Sequence, residues 1–431
     1  MSDMTNFSDF LRGVLPAKDI SKINPIVYLH DPLRAAKSNA GTFLRRTSRH
    51  FPTSKEQNTN DKSYWVTFTP IEAERHFPYL SGITPAYENV FWRQMLDVVN
   101  ELLDLIQSDK SEVDSPLRDG TTLRHVCMST GVRHDAHMTG VYFAKANAMM
   151  YPFCEDPRRL ELINVLMIML WGFDDKCEKG TREETAGVLH EWRMRLASAD
   201  RGCIESSPLQ TYLDKTIAAI YEYDRVTGST AGREMHHAAL NIEYWLKPPA
   251  NCENHGEYLA YRHRNVGALF VWSCVKFSLD LKVDTSAPRI AEWLGWASMH
   301  LGMTNDLYSW AKEAKEQSEE QGPANAILHL QQLLSLDERQ AVEMLYSMIL
   351  QKEALMYEQL LSWKNECSFD DDMWAFLRGV WATLAGMYCT VRRVLDMLES
   401  RAKFHRNKAQ QLVDRDIDAE FRNGLKLIRA Q

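Results

Sequence analysis

The sequence predicts an all-α protein, a single bundle of helices packed around a central space, and three observations support this. Apolar residues recur at three- and four-residue spacing through long segments from about Ala86 onward. Those segments end at short, sharp breaks such as Tyr151-Pro152, Ser207-Pro208, Pro248-Pro249 and Gly322-Pro323. No convincing alternating strand pattern and no repeat of fixed period is present.

Residues 1–85 read as an N-terminal extension, partly irregular, and residues 86–431 as one α-helical domain. The extension holds a basic cluster, Arg34, Lys37, Arg45, Arg46 and Arg49, read as a solvated surface segment, with a patch for an anionic partner as the alternative. The helical pattern opens with FWRQMLDVVNELLDLI and returns in RRLELINVLMIMLWGF, whose apolar run from Leu162 to Phe173 is broken only by Asn164. It continues through AEWLGWASMHLGMTNDLYSW, RQAVEMLYSMILQKEALMYEQLLSW and MWAFLRGVWATLAGMYCTVRRVLDML.

Composition narrows the function classes. The chain has 58 acidic against 50 basic residues, a net charge of -8, which argues against a nucleic-acid partner. The apolar run at 162–173 is too short to span a bilayer and suits a buried helix. The first twenty residues lack a basic segment followed by an apolar one, so no signal peptide is expected. The eight Cys are scattered singly, as buried thiols of a reducing compartment would be. A soluble, cytoplasmic protein is the expectation.

Two motifs carry chemistry. The helix beginning near Arg158 runs apolar for three turns and then delivers Asp174-Asp175-Lys176-Cys177-Glu178. Asp174 and Glu178 share a helix face. Carboxylates at the C-terminal end of a buried helix are at the unfavourable end of its dipole. A metal held by Asp174 at the mouth of a pocket resolves that conflict; a solvated helix end is the alternative. The second motif is more specific. Asn305, Ser309 and Glu313 follow at i, i+4 and i+8 along one slanted stripe. One amide oxygen, one hydroxyl and one carboxylate form an all-oxygen chelate for a hard cation.

With both motifs in view, the chain resembles the class I terpene synthases, especially the fungal trichodiene and aristolochene synthase type. The resemblance covers roughly residues 90 to 400 and implies the α-helical fold of that family around an active-site cavity. It implies an aspartate-rich metal motif at Asp174, Asp175 and Glu178, and a second metal site at Asn305, Ser309 and Glu313. Three Mg²⁺ ions are expected on the same ground. Diphosphate ligands implied by the family are Lys312 and an Arg some forty residues before the triad. Arg262 is preferred there over Arg264, and Gly267 is expected to break its helix. The family's closing Arg-Tyr pair is matched only by Tyr388, because Met387 stands at the Arg position. Arg392, one turn beyond on the same face, is the expected replacement.

The activity implied is Mg²⁺-dependent ionisation of farnesyl diphosphate and cyclisation of the carbocation to a sesquiterpene hydrocarbon or alcohol, with release of diphosphate. A diterpene synthase using geranylgeranyl diphosphate is the alternative. A chain-elongating prenyl synthase needs a second aspartate-rich motif, which Asn305, Ser309 and Glu313 replace; a helical binding protein would not need both motifs intact. The expected partner is an isoprenyl diphosphate, with the protein a monomer or homodimer. Candidate cavity-lining residues are Met167, Leu170 and Trp171 on the face of Asp174, Phe270 beyond the helix break, and Trp381 on the stripe of Tyr388 and Arg392.

Three further clusters are read as structural. Asp370-Asp371-Asp372 stands at a helix start, where carboxylates cap, and the cap is assigned to Asp371. His134-Asp135-Ala136-His137 lacks partners at zinc spacing. His236-His237 is assigned to packing or the surface.

Overall fold

The computed structural model describes residues 65–68, 83, 86–110, 116–129, 136–197, 207–242, 254–316, 325–366 and 369–387. Among these, a pair of short strands precedes a succession of helices. The strands are β1 (Trp65–Phe68) and β2 (Ala86–Asn89), antiparallel, with Trp65 opposite Asn89. They are absent from the sequence expectation. Each spans four residues, too few for an alternating pattern to stand out. Asn89 ties the ribbon to the bundle. Its Nδ2 donates to the carbonyls of Pro152 at 3.0 Å and Cys154 at 2.7 Å.

The helices are α1 (Trp92–Ser108), α2 (Leu123–Ser129), α3 (Ala136–Met150), α4 (Pro157–Lys179), α5 (Arg182–Leu196), α6 (Pro208–Thr227) and α7 (Ala231–Leu240). Then follow α8 (His255–Asn265), α9 (Ala268–Leu279), α10 (Pro288–Glu316), α11 (Ala326–Leu334) and α12 (Glu338–Glu366). A last helix, α13, spans 371–387. No described helix is long and apolar enough to cross a membrane.

Local chemistry sets the helix ends. Asp156 caps α4 by accepting from the Arg158 amide, and Pro157 at the first turn gives up only an amide that has no helical partner. Thr181 and Glu184 form a capping box that starts α5 one residue after Gly180 closes α4. Ser207 caps α6 ahead of Pro208, and Gly228 ends it in the left-handed region. At the start of α13 the Met373 amide bonds Asp370 Oδ1 at 2.8 Å, so the cap is Asp370 and the assignment to Asp371 is corrected. Asp371 is exposed.

The helix α4 is surrounded, packing against α1, α2, α3, α5, α6 and α9. Its Leu162, Leu166 and Phe173 are fully buried in the larger of two apolar cores. The smaller core gathers Tyr258, Met303, Ile327 and Leu345 from α8, α10, α11 and α12. The long helix α10 passes from one to the other. Its Trp293, Ala297 and Leu301 belong to the larger core, and its Met303 to the smaller. Asn305 follows at once.

Helix α13 presses close against the end of α3. Thr383 Oγ1 donates to the Met150 carbonyl at 2.5 Å. A Cβ at Gly386 would lie 2.0 Å from the Met149 carbonyl oxygen, so only glycine fits there.

Candidate active site

The aspartate motif forms the last turn of α4, and its residues part company around the helix. Asp174 and Asp175 are half-buried, whereas Lys176 and Cys177 are buried. The Lys176 ammonium turns to α5, 2.6 Å from Glu191 Oε2. Glu191 also accepts from Arg195 at 3.0 Å, and Arg195 reaches Asp109 at 2.9 Å. This buried alternation of charges secures the C-terminal end of α4 to α5 and α1. The side chain of Glu178 lies outside the described residues.

Electrostatics locate the two aspartates. Burial pushes the Tyr261 hydroxyl up to about 12, and the charges of Asp306 and Asp174 add to that rise. Burial also raises Tyr142, with Asp175 as a further cause. Asp174 thus lies within electrostatic reach of Tyr261 on α8, and Asp175 within reach of Tyr142 on α3. Trp171, one turn earlier, stacks on Phe143 of α3 with ring centroids 5.3 Å apart.

The helix from His255 ends where the sequence expects a break. Asn254 caps it through the Glu257 amide, and Gly267 sits in the left-handed region at φ 71°, after which α9 begins. The break leaves Arg262 in the last turn of α8, against α10. Gly302 of α10 makes room for it: a Cβ there would meet Arg262 Cγ at 3.2 Å.

Arg262 joins the two helices. Its Nη2 donates to Asn305 Oδ1 at 2.9 Å and to Asp306 Oδ1 at 2.5 Å, and its Nε donates to Asp306 Oδ1 at 2.9 Å. Nη1 bonds Asn265 Oδ1. Burial lowers the guanidinium's affinity for its proton, but Asp306, Tyr258 and Tyr261 more than reverse this, so Arg262 stays charged. Arg264 is exposed.

The other two residues of the α10 stripe converge on Asn325, the cap of α11. Asn325 Nδ2 lies 2.9 Å from Glu313 Oε2 and 3.5 Å from Ser309 Oγ. It also donates to the Asp306 carbonyl at 2.7 Å. A common donor within reach of both places Ser309 and Glu313 close together, on the same stripe as Asn305. Three oxygen donors of this kind suit a hard divalent cation.

Of the remaining candidates, Met167, Leu170, Phe270 and Trp381 are buried. Met167 Sδ lies 3.8 Å from the Tyr151 hydroxyl. The side chain of Lys312 and residues Tyr388 and Arg392 lie outside the described residues, as do the basic cluster at 34–49 and His134, Asp135 and the side chain of His137. His236 is structural: its Nε2 lies 2.7 Å from the Leu196 carbonyl oxygen and its Nδ1 2.6 Å from the Tyr221 hydroxyl. His237 is exposed. A hollow of about 710 Å³ lined by Lys282, Arg289, Ile290, Phe369 and Met373 lies where α10 and α13 begin and contains none of the motif residues.

Sequence reasoning missed Asp306, Asn325 and Asn265. Asp306 was legible only as a charged residue set between Asn305 and an apolar Leu307. Asn325 carried the signal of a helix cap, an Asn just before Ala326-Ile327.

Known proteins bear on this geometry. The chain is 30% identical over 87 residues to a bifunctional type I diterpene synthase from Aspergillus flavipes, covering 18% of this chain and 11% of that one. It is 22% identical over 244 residues to terpene cyclase 6 from Gibberella fujikuroi, covering 55% and 62%. It is 41% identical over 59 residues to an aristolochene synthase from Aspergillus terreus, covering 14% and 18%. The chain thus spans less than two thirds of the length of each. Residues 166–354, which contain both oxygen-rich motifs and Arg262, match the family model described as terpene synthase family 2, C-terminal metal binding.

Proposed function

We propose that this chain is a class I terpene synthase that ionises farnesyl diphosphate and cyclises the resulting carbocation, releasing diphosphate. The observation that carries the proposal is the joining of α8 and α10 at Arg262. Its guanidinium bonds Asn305 of the α10 motif, and its neighbour Tyr261 feels the charge of Asp174 on α4.

Asp174, with Asp175 and Glu178, would hold metal on one side of the diphosphate, and Asn305, Ser309 and Glu313 on the other. Bound Mg²⁺, three ions by family resemblance, supplies Lewis-acid stabilisation of the leaving diphosphate. Arg262 would direct a fixed positive charge at the same oxygens, with Lys312 and Tyr388 the further diphosphate ligands that the family resemblance implies. Preorganised donors of this kind lower the barrier because they need not reorient as the C–O bond breaks. No general base takes part in that step. Met167, Leu170, Trp171, Phe270 and Trp381 would enclose the hydrocarbon, keep water from the cation and offer it aromatic faces.

A C20 substrate is the second reading, favoured by the similarity to a diterpene synthase. Purified protein incubated with C10, C15 and C20 diphosphates and Mg²⁺ tests both, with products read by gas chromatography–mass spectrometry. Cyclic product from the C15 substrate is the expected result. Product from the C20 substrate alone would select the second reading. Longer linear chains formed only with added isopentenyl diphosphate would replace both with elongation.

A further inference from the structure

We infer that Asp306 is a positioning residue for Arg262 and not a ligand of the metal, an inference that rests on the diphosphate site proposed above. By residue type the opposite is the natural assignment. Asp306 is a carboxylate beside Asn305 in an oxygen-rich motif, and carboxylates are preferred ligands of hard cations. The geometry assigns its oxygens elsewhere.

Asp306 is fully buried. It lies about 100° around the helix from Asn305, away from the stripe that Ser309 and Glu313 continue. Its Oδ1 accepts from Arg262 Nε at 2.9 Å and Nη2 at 2.5 Å. Its Oδ2 accepts from the Tyr258 hydroxyl at 3.1 Å and the Ala326 amide at 3.0 Å. A carboxylate offers about four lone-pair sites, and these four donors match that number. An ion could enter only by displacing Arg262, the Tyr258 hydroxyl or the first turn of α11.

The same contacts fix the guanidinium. Arg262 is a planar fork, and Asp306 Oδ1 accepts from both nitrogens of its Nε–Nη2 edge. With that edge held, Nη2 is aimed at Asn305 and Nη1 at Asn265. Asp306 also compensates the buried positive charge, whose isolation would be costly. Tyr258 and the Ala326 amide hold Asp306 in turn, so α8, α10 and α11 all set the direction of Arg262.

The test is binding of inorganic pyrophosphate to the full-length protein in Mg²⁺, measured by calorimetry, with circular dichroism to confirm folding. Asp306→Asn keeps the shape and removes the charge. It should weaken binding roughly tenfold or more, the scale of a lost charge-assisted bond. Excess Mg²⁺ should not restore it, and adding Asp306→Asn to Arg262→Ala should cause no further loss. Restoration by excess Mg²⁺, or losses that multiply in the double variant, would make Asp306 a metal ligand and overturn the inference. Should Asp306→Asn not fold, Arg262→Lys decides: it keeps the charge but not the fork, and should bind as weakly as Arg262→Ala. Full binding by that variant would overturn the inference. Absence of binding by the unaltered protein would instead contradict the proposed function.

Discussion

Asn325 Nδ2 stands 2.9 Å from Glu313 Oε2, so the cap of α11 holds the carboxylate that ends the α10 stripe. The same side chain accepts the Ile327 amide through Oδ1 at 2.8 Å. One residue therefore starts a helix and steadies a carboxylate proposed to hold metal.

The two roles of Asn325 are separable. Asn325→Ser retains a capping oxygen but lacks the amide that reaches Glu313. It should lower the melting temperature less than Asn325→Ala does and raise the Mg²⁺ concentration needed for half-maximal rate. Asn325→Ala loses both and should also cost about 1 kcal/mol of stability. Equal Mg²⁺ dependence in all three proteins would reduce Asn325 to a cap.

The two aspartate clusters should behave oppositely. Asp174, in the last turn of α4, is expected to lose about 100-fold or more in turnover as Asp174→Ala, the scale of removing a main transition-state stabiliser. Asp371 is exposed at the start of α13, so Asp371→Ala should change turnover little. Steady-state rates on both variants check this, and the reverse ranking would place the metal at the other cluster.

Phe270 and Trp381 are both buried. Phe270→Ala and Trp381→Ala should shift the product mixture more than the rate of diphosphate release. An unchanged product profile in two folded variants would make these rings ordinary core.

Acid stability should depend on His255. Burial, with His329 and Lys352 nearby, lowers it from 6.5 to about 3. The unfolded chain takes up this proton as the pH falls below 6.5, whereas the folded protein does not until about 3. Stability present above pH 6.5 is therefore lost through that window as the pH falls. His255→Phe should flatten the decline in melting temperature between these limits. An unaltered slope would assign the acid limb to other groups.

Much of this arrangement is legible in the sequence. The apolar run 162–173 marks α4 as buried, and Gly267 marks the break after α8, because periodicity and left-handed backbone leave strong local signals. The stripe of Asn305, Ser309 and Glu313 is likewise a matter of helical spacing. The partners of those residues are not. Asp306 joins Arg262 across 44 residues of chain, and Asn325 turns to Glu313 only because α11 folds back on α10. Such contacts are set by tertiary packing, which no local pattern encodes. The ribbon β1–β2 escaped notice for the same reason: four-residue strands are defined by their pairing more than by their composition.

The most direct measurement of the central claim is release of inorganic diphosphate from farnesyl diphosphate by the purified protein, before and after removal of divalent metal. Release in Mg²⁺, its loss on chelation with EDTA and its recovery on returning Mg²⁺ are the expected results. Undiminished release in metal-free buffer would contradict the assignment of Asp174 and of Asn305, Ser309 and Glu313 as the metal-holding residues of a class I terpene synthase.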